Sequence, residues 1–287
     1  MSNIKYFFQS LLIIFLLLIF KVLGLKISRI LSSIIFKLIG PKFRSLSISN
    51  INLMKAIPNS TESQRKDILS TMWGNYGKIF AEYMFLKDFR NKSKYAENII
   101  IENKEVLENI KLNSKPVIFI SGHFNNFELM AMQIEKSGIN LSAIYRPLNN
   151  RYLNPIMEKI RKKYICKDQI KKGIAGTKEL LKKYKSGNSI ALMIDQRVSE
   201  GIRCPLFNCE ALTTTIPAQF VKKFQAKVVP VYIERTKDEK FKLKIYSPLK
   251  FSNEETIDSI TKKLNNILEQ MISKNPEQWI WTHNRWK

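Results

Sequence analysis

The sequence predicts an α/β protein: a central, mostly covered β-sheet flanked by helices, preceded by an N-terminal transmembrane helix. Three observations predict it. Short apolar runs bounded by turn residues alternate with basic amphipathic helical stretches from Lys115 onward. An unbroken apolar run, Leu11 to Phe20, lies near the start. The chain has 287 residues with 45% hydrophobic content, enough to bury a sizeable core.

The apolar character extends from Tyr6 to Leu25, interrupted at Gln9, Ser10 and Lys21. At 1.5 Å rise per residue, about 20 residues cover a hydrocarbon core of roughly 30 Å. A cleaved signal peptide is the alternative, but no small-x-small cleavage site follows the run. An uncleaved anchor over 1–26 is therefore expected. Lys5 precedes the run, whereas Lys26, Arg29, Lys37, Lys42 and Arg44 follow it. That asymmetry places the C-terminal bulk in the cytoplasm. The stretch Ile27 to Ile39 is too short and too charged to span. It reads either as an amphipathic helix in the membrane interface or as an ordinary core-facing helix. Pro41 and the Ser-rich stretch Ser45 to Asn50 then break the chain, so 27–60 is expected to be an interfacial segment and linker.

The third unit, 61–287, is expected to be the cytoplasmic α/β domain. Ser60-Thr-Glu-Ser63 carries a helix-start signal, and 61–90 reads as helix. Pro116 to Ile120 is a buried strand, Asn126 to Ser137 a helix stopped by Gly138, and Leu141 to Tyr145 a strand. Leu153 to Lys163 and Ile174 to Tyr184 are basic amphipathic helices, and Ser189 to Ile194 is a strand ending in Asp195-Gln196. Thr215 to Phe224 is a helix, Lys227 to Ile233 and Phe241 to Tyr246 are strands, and Glu255 to Ser273 is a long final helix. Such an alternation argues for a covered sheet whose ligands sit at strand ends.

Lys plus Arg is 48 against 24 for Asp plus Glu, a net charge of +24. Such a surface suits a polyanion: nucleic acid, an anionic membrane face or an acidic protein. Part of the excess is also what a lysine-biased composition delivers without any function. Cys166, Cys204 and Cys209 form no C-x-x-C pair, and no His or Cys partner pair exists elsewhere, so neither a zinc site nor a disulfide framework is implied. Reduced thiols fit a cytosolic compartment.

The chemically pointed segment is Ser121-Gly122-His123-Phe124-Asn125-Asn126-Phe127-Glu128, between a strand and a helix. On one continuous helix, residues five apart are separated by about 140° around the axis and do not meet. With His123 in the turn before the helix and Glu128 in its first turn, they can converge. Gly122 permits a tight turn there, and Asn125 or Asn126 can cap the helix. A histidine held by a carboxylate is a general base, with an ordinary pKa near 6.5. The alternative is structural: Asn125-x-x-Glu128 is a capping-box-like pattern and His123 a buried histidine. The chain has only two histidines, His123 and His283, which narrows the candidates for a base. No G-x-S-x-G elbow is present, so the attacking hydroxyl is expected to belong to the substrate.

Gly122-His123-Phe124-Asn-Asn-Phe-Glu128-Leu resembles the H-x4-[DE] block of the lysophospholipid acyltransferase superfamily. More narrowly it resembles the H-F-x-N-W-E form of the lipid A biosynthesis lauroyl and myristoyl acyltransferases (the HtrB/LpxL type), with Phe127 where Trp is common. Four further blocks agree in order. Tyr145-Arg146-Pro147-Leu148-Asn149 is similar to a Y-R-P segment, and Ala191 to Gln196 to a strand ending in D-Q. Pro205-Leu-Phe207 with Ala211-Leu-Thr213 is similar to an F-F-G-x-x-A-x-T stretch in which Asn208 replaces the glycine. Pro276 to Lys287 is similar to a P-E-Q-W-x-W-x-H-x-R-[FW]-K tail.

The resemblance implies an acyltransferase of the bacterial inner membrane, single-pass, transferring a fatty acyl chain from acyl carrier protein to a hydroxyl on a lipid A precursor. In that reading His123 is the base and Glu128 orients it. Arg146 holds an anionic group or the oxyanion, and Asp195 positions Arg146 or a substrate group. Gln196 is a further contact, and Gly122 and Asn126 shape the oxyanion pocket. His283 either binds substrate or packs between Trp281 and Trp286. The basic helices around Arg161-Lys-Lys163, Lys171-Lys172 and Lys182-Lys183 receive the acidic carrier protein, face anionic lipid, or are plain solvated faces. No cofactor, metal or nucleotide is implied. A glycerophospholipid or other membrane lipid is the alternative acceptor. A non-enzymatic basic module remains as a remote reading, with no nucleic-acid recognition motif behind it.

Overall fold

A computed structural model describes residues 2–44, 46–91 and 95–287. Met1 of the expected anchor and Ser45 of the expected break lie outside the described residues. Helices α1 (Ser2–Phe43), α2 (Leu46–Ala56), α3 (Glu62–Glu82) and α4 (Leu86–Arg90) come first. Then follow β1 (Ile99–Glu102), α5 (Lys104–Asn113), β2 (Ile118–Ser121), α6 (Glu128–Lys136), β3 (Leu141–Tyr145), α7 (Leu153–Tyr164) and β4 (Asp168–Lys171). The remainder is α8 (Ile174–Lys185), β5 (Ser189–Met193), β6 (Ile202–Leu206), β7 (Cys209–Thr213), α9 (Ile216–Phe224), β8 (Val228–Arg235), β9 (Phe241–Ile245) and α10 (Ile257–Lys274).

The expected α/β architecture is present. A seven-stranded sheet runs in the order β1-β9-β8-β2-β5-β3-β4, and β6 and β7 form a separate hairpin. Parallel pairing joins β8 to β2, β2 to β5, β5 to β3 and β3 to β4; β8 and β9 are antiparallel. Strand β2, Ile-Phe-Ile-Ser, is buried throughout, as a strand covered on both faces should be. Elements β1, β4 and α5 and the β6–β7 hairpin carried no sequence expectation, whereas α2 corrects one: the Ser-rich stretch expected to break the chain is helical from Leu46, because Ser49, Asn52 and Leu53 share a buried side of that helix. Strands β1 and β4 are four residues each, and the hairpin turns on Phe207 and Asn208, both left-handed at φ +52° and +56°. Leu206 pairs with Cys209, so this is a two-residue turn of the kind that favours Asn or Gly. Asn208 thus does the conformational duty of the glycine it replaces.

Helix α1 runs past the expected boundary at residue 26. It is interrupted at Gly24, whose φ of +77° and ψ of +164° belong to no helix. Asn3 to Lys42 is long and apolar enough to cross a membrane. Its second half packs on α3 so closely that a Cβ on Gly77 would lie 2.2 Å from the Ser32 carbonyl oxygen. The Ser32 hydroxyl donates to the Gly77 carbonyl at 2.6 Å. Thr61 and Gln64 form a reciprocal capping box at the start of α3, at the signal read from Ser60 to Ser63.

Between α1, α3 and the sheet lies a buried charge cluster. Glu82, with no solvent exposure, accepts from Arg29 Nε at 2.6 Å, Arg235 Nη1 at 2.7 Å and Asn126 Nδ2 at 2.8 Å. Burial works against the Glu82 carboxylate, but the two guanidinium groups outweigh it and hold its pKa below the ordinary value. The cluster ties α1 to the turn that carries His123.

Candidate active site

His123 and Asp195 each stand two residues beyond the carboxyl end of a strand. Strands β2 and β5 are adjacent and parallel, with Ser121 opposite Met193. Continuing that register by two residues brings His123 opposite Asp195. The Ile194 N–H donating to the Ser121 carbonyl at 2.9 Å carries the register past the strand ends. Carboxyl ends of parallel strands are where α/β proteins place their ligands.

The pairing is two-pronged. The His123 backbone N–H donates to Asp195 Oδ2 at 2.8 Å, and His123 Nδ1 lies 2.8 Å from Asp195 Oδ1. Trp279 Nε1–H adds a third donor to Oδ2, also at 2.8 Å. An ionised carboxylate only accepts, so Nδ1 carries the hydrogen and Nε2 keeps its lone pair. Asp195 is 1% exposed. Burial opposes its ionisation, yet the His123 charge and hydrogen bonds, with the Trp279 donor, hold its pKa down at about 2. The His123 side chain keeps 19% exposure. Burial pulls against its charged form, but the Asp195 and Glu128 charges and the Asp195 hydrogen bond outweigh it and raise its pKa above 6.5. Phe127 meets the imidazole edge-on, with centroids 4.7 Å apart.

Glu128 stands elsewhere than expected. Its Oε1 accepts from Arg161 Nε at 2.8 Å and Nη2 at 2.6 Å, and from the Tyr83 hydroxyl. It reaches His123 through its charge, while the hydrogen bond expected of it belongs to Asp195. The reason is topological: Glu128 opens α6 and meets Tyr83, just past α3, and Arg161 of α7, whereas the strand register delivers Asp195 to the ring. Arg161, expected only as part of a basic helix face open to carrier protein, lipid or solvent, is the inward member of that trio. Lys162 and Lys163 are exposed.

The other expected residues divide. Arg146 lies exposed one residue past β3, with no ion pair among the described residues. Asp195 does not position it, because both Asp195 oxygens are committed to His123 and Trp279. Gln196 is half-buried beside Asp195. Asn126 donates its amide to Glu82, so it serves the buried cluster. Gly122 needs no left-handed backbone; that role falls to Asn125 at φ +39°. A Cβ on Gly122 would come within 2.9 Å of the Phe124 ring. Neither Asn caps α6, which begins after Phe127 without a side-chain cap. His283 Nε2 accepts from the Arg197 N–H at 3.0 Å, and burial lowers its pKa, so this ring is held as a neutral packing residue.

The C-terminal tail braces the turn that carries His123. Phe124 pairs with Trp279 in an antiparallel bridge, Asn125 N–H donates to the Gln278 carbonyl at 2.8 Å, and Gln278 Oε1 accepts from Arg235 N–H at 2.7 Å. The Trp279 indole donor to Asp195 was missed in the sequence, although its tail motif was noticed. A mostly apolar cavity of about 220 Å³, lined by Phe36, Ile39, Trp73, Tyr76 and Ile280 with Arg44 and Thr282, opens one residue along the tail from Trp279. Burial and then the Asp195 charge push the Tyr76 phenol upward.

A His–Asp pair at strand ends, a mostly apolar cavity further along the tail and an apolar N-terminal helix together fit a membrane-associated α/β acyltransferase. The family model for bacterial lipid A biosynthesis acyltransferase matches residues 1–287, and the chain belongs to that family. It is 24% identical over 255 residues to the lipid A biosynthesis lauroyltransferase of Escherichia coli K12, covering 85% of this chain and 79% of that protein. It is 21% identical over 234 residues to the myristoyltransferase of the same organism, covering 80% and 72%. A lipid A biosynthesis acyltransferase of Haemophilus influenzae is 26% identical over 256 residues, covering 85% and 78%. The chain is accordingly an acyltransferase of lipid A biosynthesis associated with the inner membrane.

Proposed function

We propose that the enzyme moves a fatty acyl chain from the thioester of acyl carrier protein to a hydroxyl on a lipid A precursor, with His123 as general base. The observation that carries this reading is the His123–Asp195 pair, which fixes the tautomer and leaves Nε2 free to accept a proton. Nε2 takes the proton from the acceptor hydroxyl as its oxygen attacks the thioester carbonyl. Collapse of the tetrahedral intermediate breaks the C–S bond, and the departing thiolate takes the proton back from His123. Asp195 stabilises the imidazolium in between. No side-chain nucleophile is required, so no acyl-enzyme forms.

Glu128 acts through its charge, raising the basicity of His123, and is itself held by Arg161 and Tyr83. Arg146 and Gln196, at the same strand ends, are the groups offered to the anionic acceptor or the developing oxyanion. Gly122 leaves room beside the Phe124 ring. The cavity under Ile39, Trp73 and Tyr76 takes part of an acyl chain. The catalytic domain faces the cytoplasm, where the basic α7 surface is open to an acidic carrier protein.

The test is a membrane assay with acyl carrier protein thioester and lipid A precursor. The His123→Ala variant is expected to lose transfer by a factor of at least about 10²–10⁴ with an unchanged melting temperature. Full transfer by that variant would refute the base. Transfer to a glycerophospholipid with none to the lipid A precursor would move the acceptor to the alternative.

A further inference from the structure

We propose that the carboxyl ends of β5, β3 and β4 form a phosphate-binding site, in which Arg197, Arg146 and Lys172 hold a phosphate ester of one substrate while the reacting atoms meet at His123. The inference rests on the acyl transfer proposed above and names what these strand ends grip.

The strand order sets three cations side by side. This half of the sheet runs β2-β5-β3-β4. Arg197 follows Asp195 by two residues beyond β5. Ala143 of β3 lies opposite Ala191 of β5, and continuing that register sets Arg146 opposite Ile194, next to Asp195. Tyr145 lies opposite Lys171 of β4, so Arg146 and Lys172 follow as neighbours, and the Lys172 N–H donates to the Tyr145 carbonyl at 2.9 Å. Neighbouring strands are about 5 Å apart, so the row spans about 10 Å. It begins one strand away from His123.

The protein supplies this row with no counter-charge. Among the described residues none of the three makes an ion pair, whereas cations around them are neutralised: Lys171 by Glu158 at 3.4 Å, Lys183 by Asp168 at 2.6 Å and Arg161 by Glu128 at 2.6 Å. Arg146 and Lys172 are exposed, and Arg197 is half-buried. Arg197 Nε is buried with no hydrogen-bond partner among the described residues. Buried donors are nearly always paired, so this one calls for an acceptor from outside the chain.

The loop that carries Arg197 is pinned. Arg197 N–H donates to His283 Nε2 at 3.0 Å, and Val198 N–H to the Leu212 carbonyl at 3.3 Å. The same carbonyl accepts from Arg285 Nη1 at 2.8 Å, and Arg285 Nη2 donates to Thr213 Oγ1 at 2.7 Å. His283 and Arg285 of the tail thus act through the loop, as positioning residues for Arg197. A site held in place before binding loses less freedom when it binds.

The number of charges selects the ligand. A thioester oxyanion carries one charge on one oxygen. A phosphate ester spreads its charge over two or three oxygens, which suits two planar guanidinium forks and an ammonium. Both substrates of the proposed reaction carry such esters: the sugar phosphates of the acceptor, and the phosphodiester of the carrier's pantetheine arm.

The test uses the full chain in detergent micelles. It compares kcat/KM for the lipid A precursor with that for the same precursor stripped of its phosphates, in wild type, Arg197→Ala and Lys172→Ala. The preference for the phosphorylated acceptor is expected to fall at least about tenfold in each variant, because each loses a hydrogen bond to a charged group. A matching fall in the preference for acyl-phosphopantetheine over acyl-pantetheine, with the acceptor preference kept, would give the same site to the carrier's arm. Both preferences unchanged in both variants would overturn the site. Binding measured by calorimetry on the His123→Ala chain separates the site from the base. There Arg197→Ala is expected to weaken binding of the phosphorylated substrate about tenfold, and equal affinity would overturn the site. Full transfer by His123→Ala alongside that loss of affinity would refute the base and keep the site.

Discussion

The site depends on which of two carboxylates reaches which base. Asp195 is fully engaged by three donors, so His123 has a fixed tautomer without help from Glu128. Glu128 instead forms one half of a buried pair with Arg161, whose side chains are 9% and 13% exposed. Removing one member of a buried pair strands the other charge. Arg161→Ala is therefore expected to cost about 2–4 kcal/mol, somewhat below the range for a fully buried pair because both groups keep some contact with water. The shift of the denaturant midpoint measures it. Arg161→Lys should recover little, since an ammonium does not reproduce the two-nitrogen grip on one oxygen. A cost within 0.5 kcal/mol would mean that the pair is spent on solvent.

At the element scale, close helix packing decides the membrane-side architecture. Gly77 admits the Ser32 carbonyl because it has no Cβ. Gly77→Ala pushes backbone against backbone, where no rotamer change can relieve it. A loss of about 1–3 kcal/mol is expected, read as a lower melting temperature, and the same substitution at open Gly187 would face no such obstacle from its neighbours, only its left-handed φ of +94°. The strand and helix pattern from β2 to α10 was legible because apolar runs and amphipathic stretches alternate with turn residues between them. Strands β1 and β4 were not, because four-residue edge segments such as Asp168–Lys171 carry too little periodicity to stand out. His123 was legible from the scarcity of histidine and its place after a strand. Its partner was not, because strand order is a tertiary fact: only the adjacency of β2 and β5 turns a sequence separation of 72 into a hydrogen bond. Arg161 was hidden by Lys162 and Lys163 beside it, which share its charge but point outward.

For the whole molecule, the exposed apolar stripes and the acid-free first 61 residues set the attachment to the membrane. Placing charges in the outer face, as in Ile30→Glu with Ile34→Glu, is expected to lower partitioning onto anionic vesicles at least about tenfold. Burying each Ile contributes about 1.5–3 kcal/mol, and both contributions are lost. Vesicle sedimentation measures it, and unchanged binding would assign attachment to other surfaces. The buried Arg29–Glu82–Arg235 cluster then links the N-terminal helix to Asn126 and so to the turn that carries His123. The central claim, that Asp195 tunes a histidine base, is tested most directly by the pH dependence of kcat/KM. Since the His123 pKa is raised, the basic form accumulates only as pH rises, and the acid limb of the wild-type enzyme should have its midpoint above 6.5. Asp195→Asn removes the charge that raises it, so that limb should move to lower pH while the plateau falls by about 10²–10⁴. An acid limb that stays in place with an undiminished plateau would contradict the account.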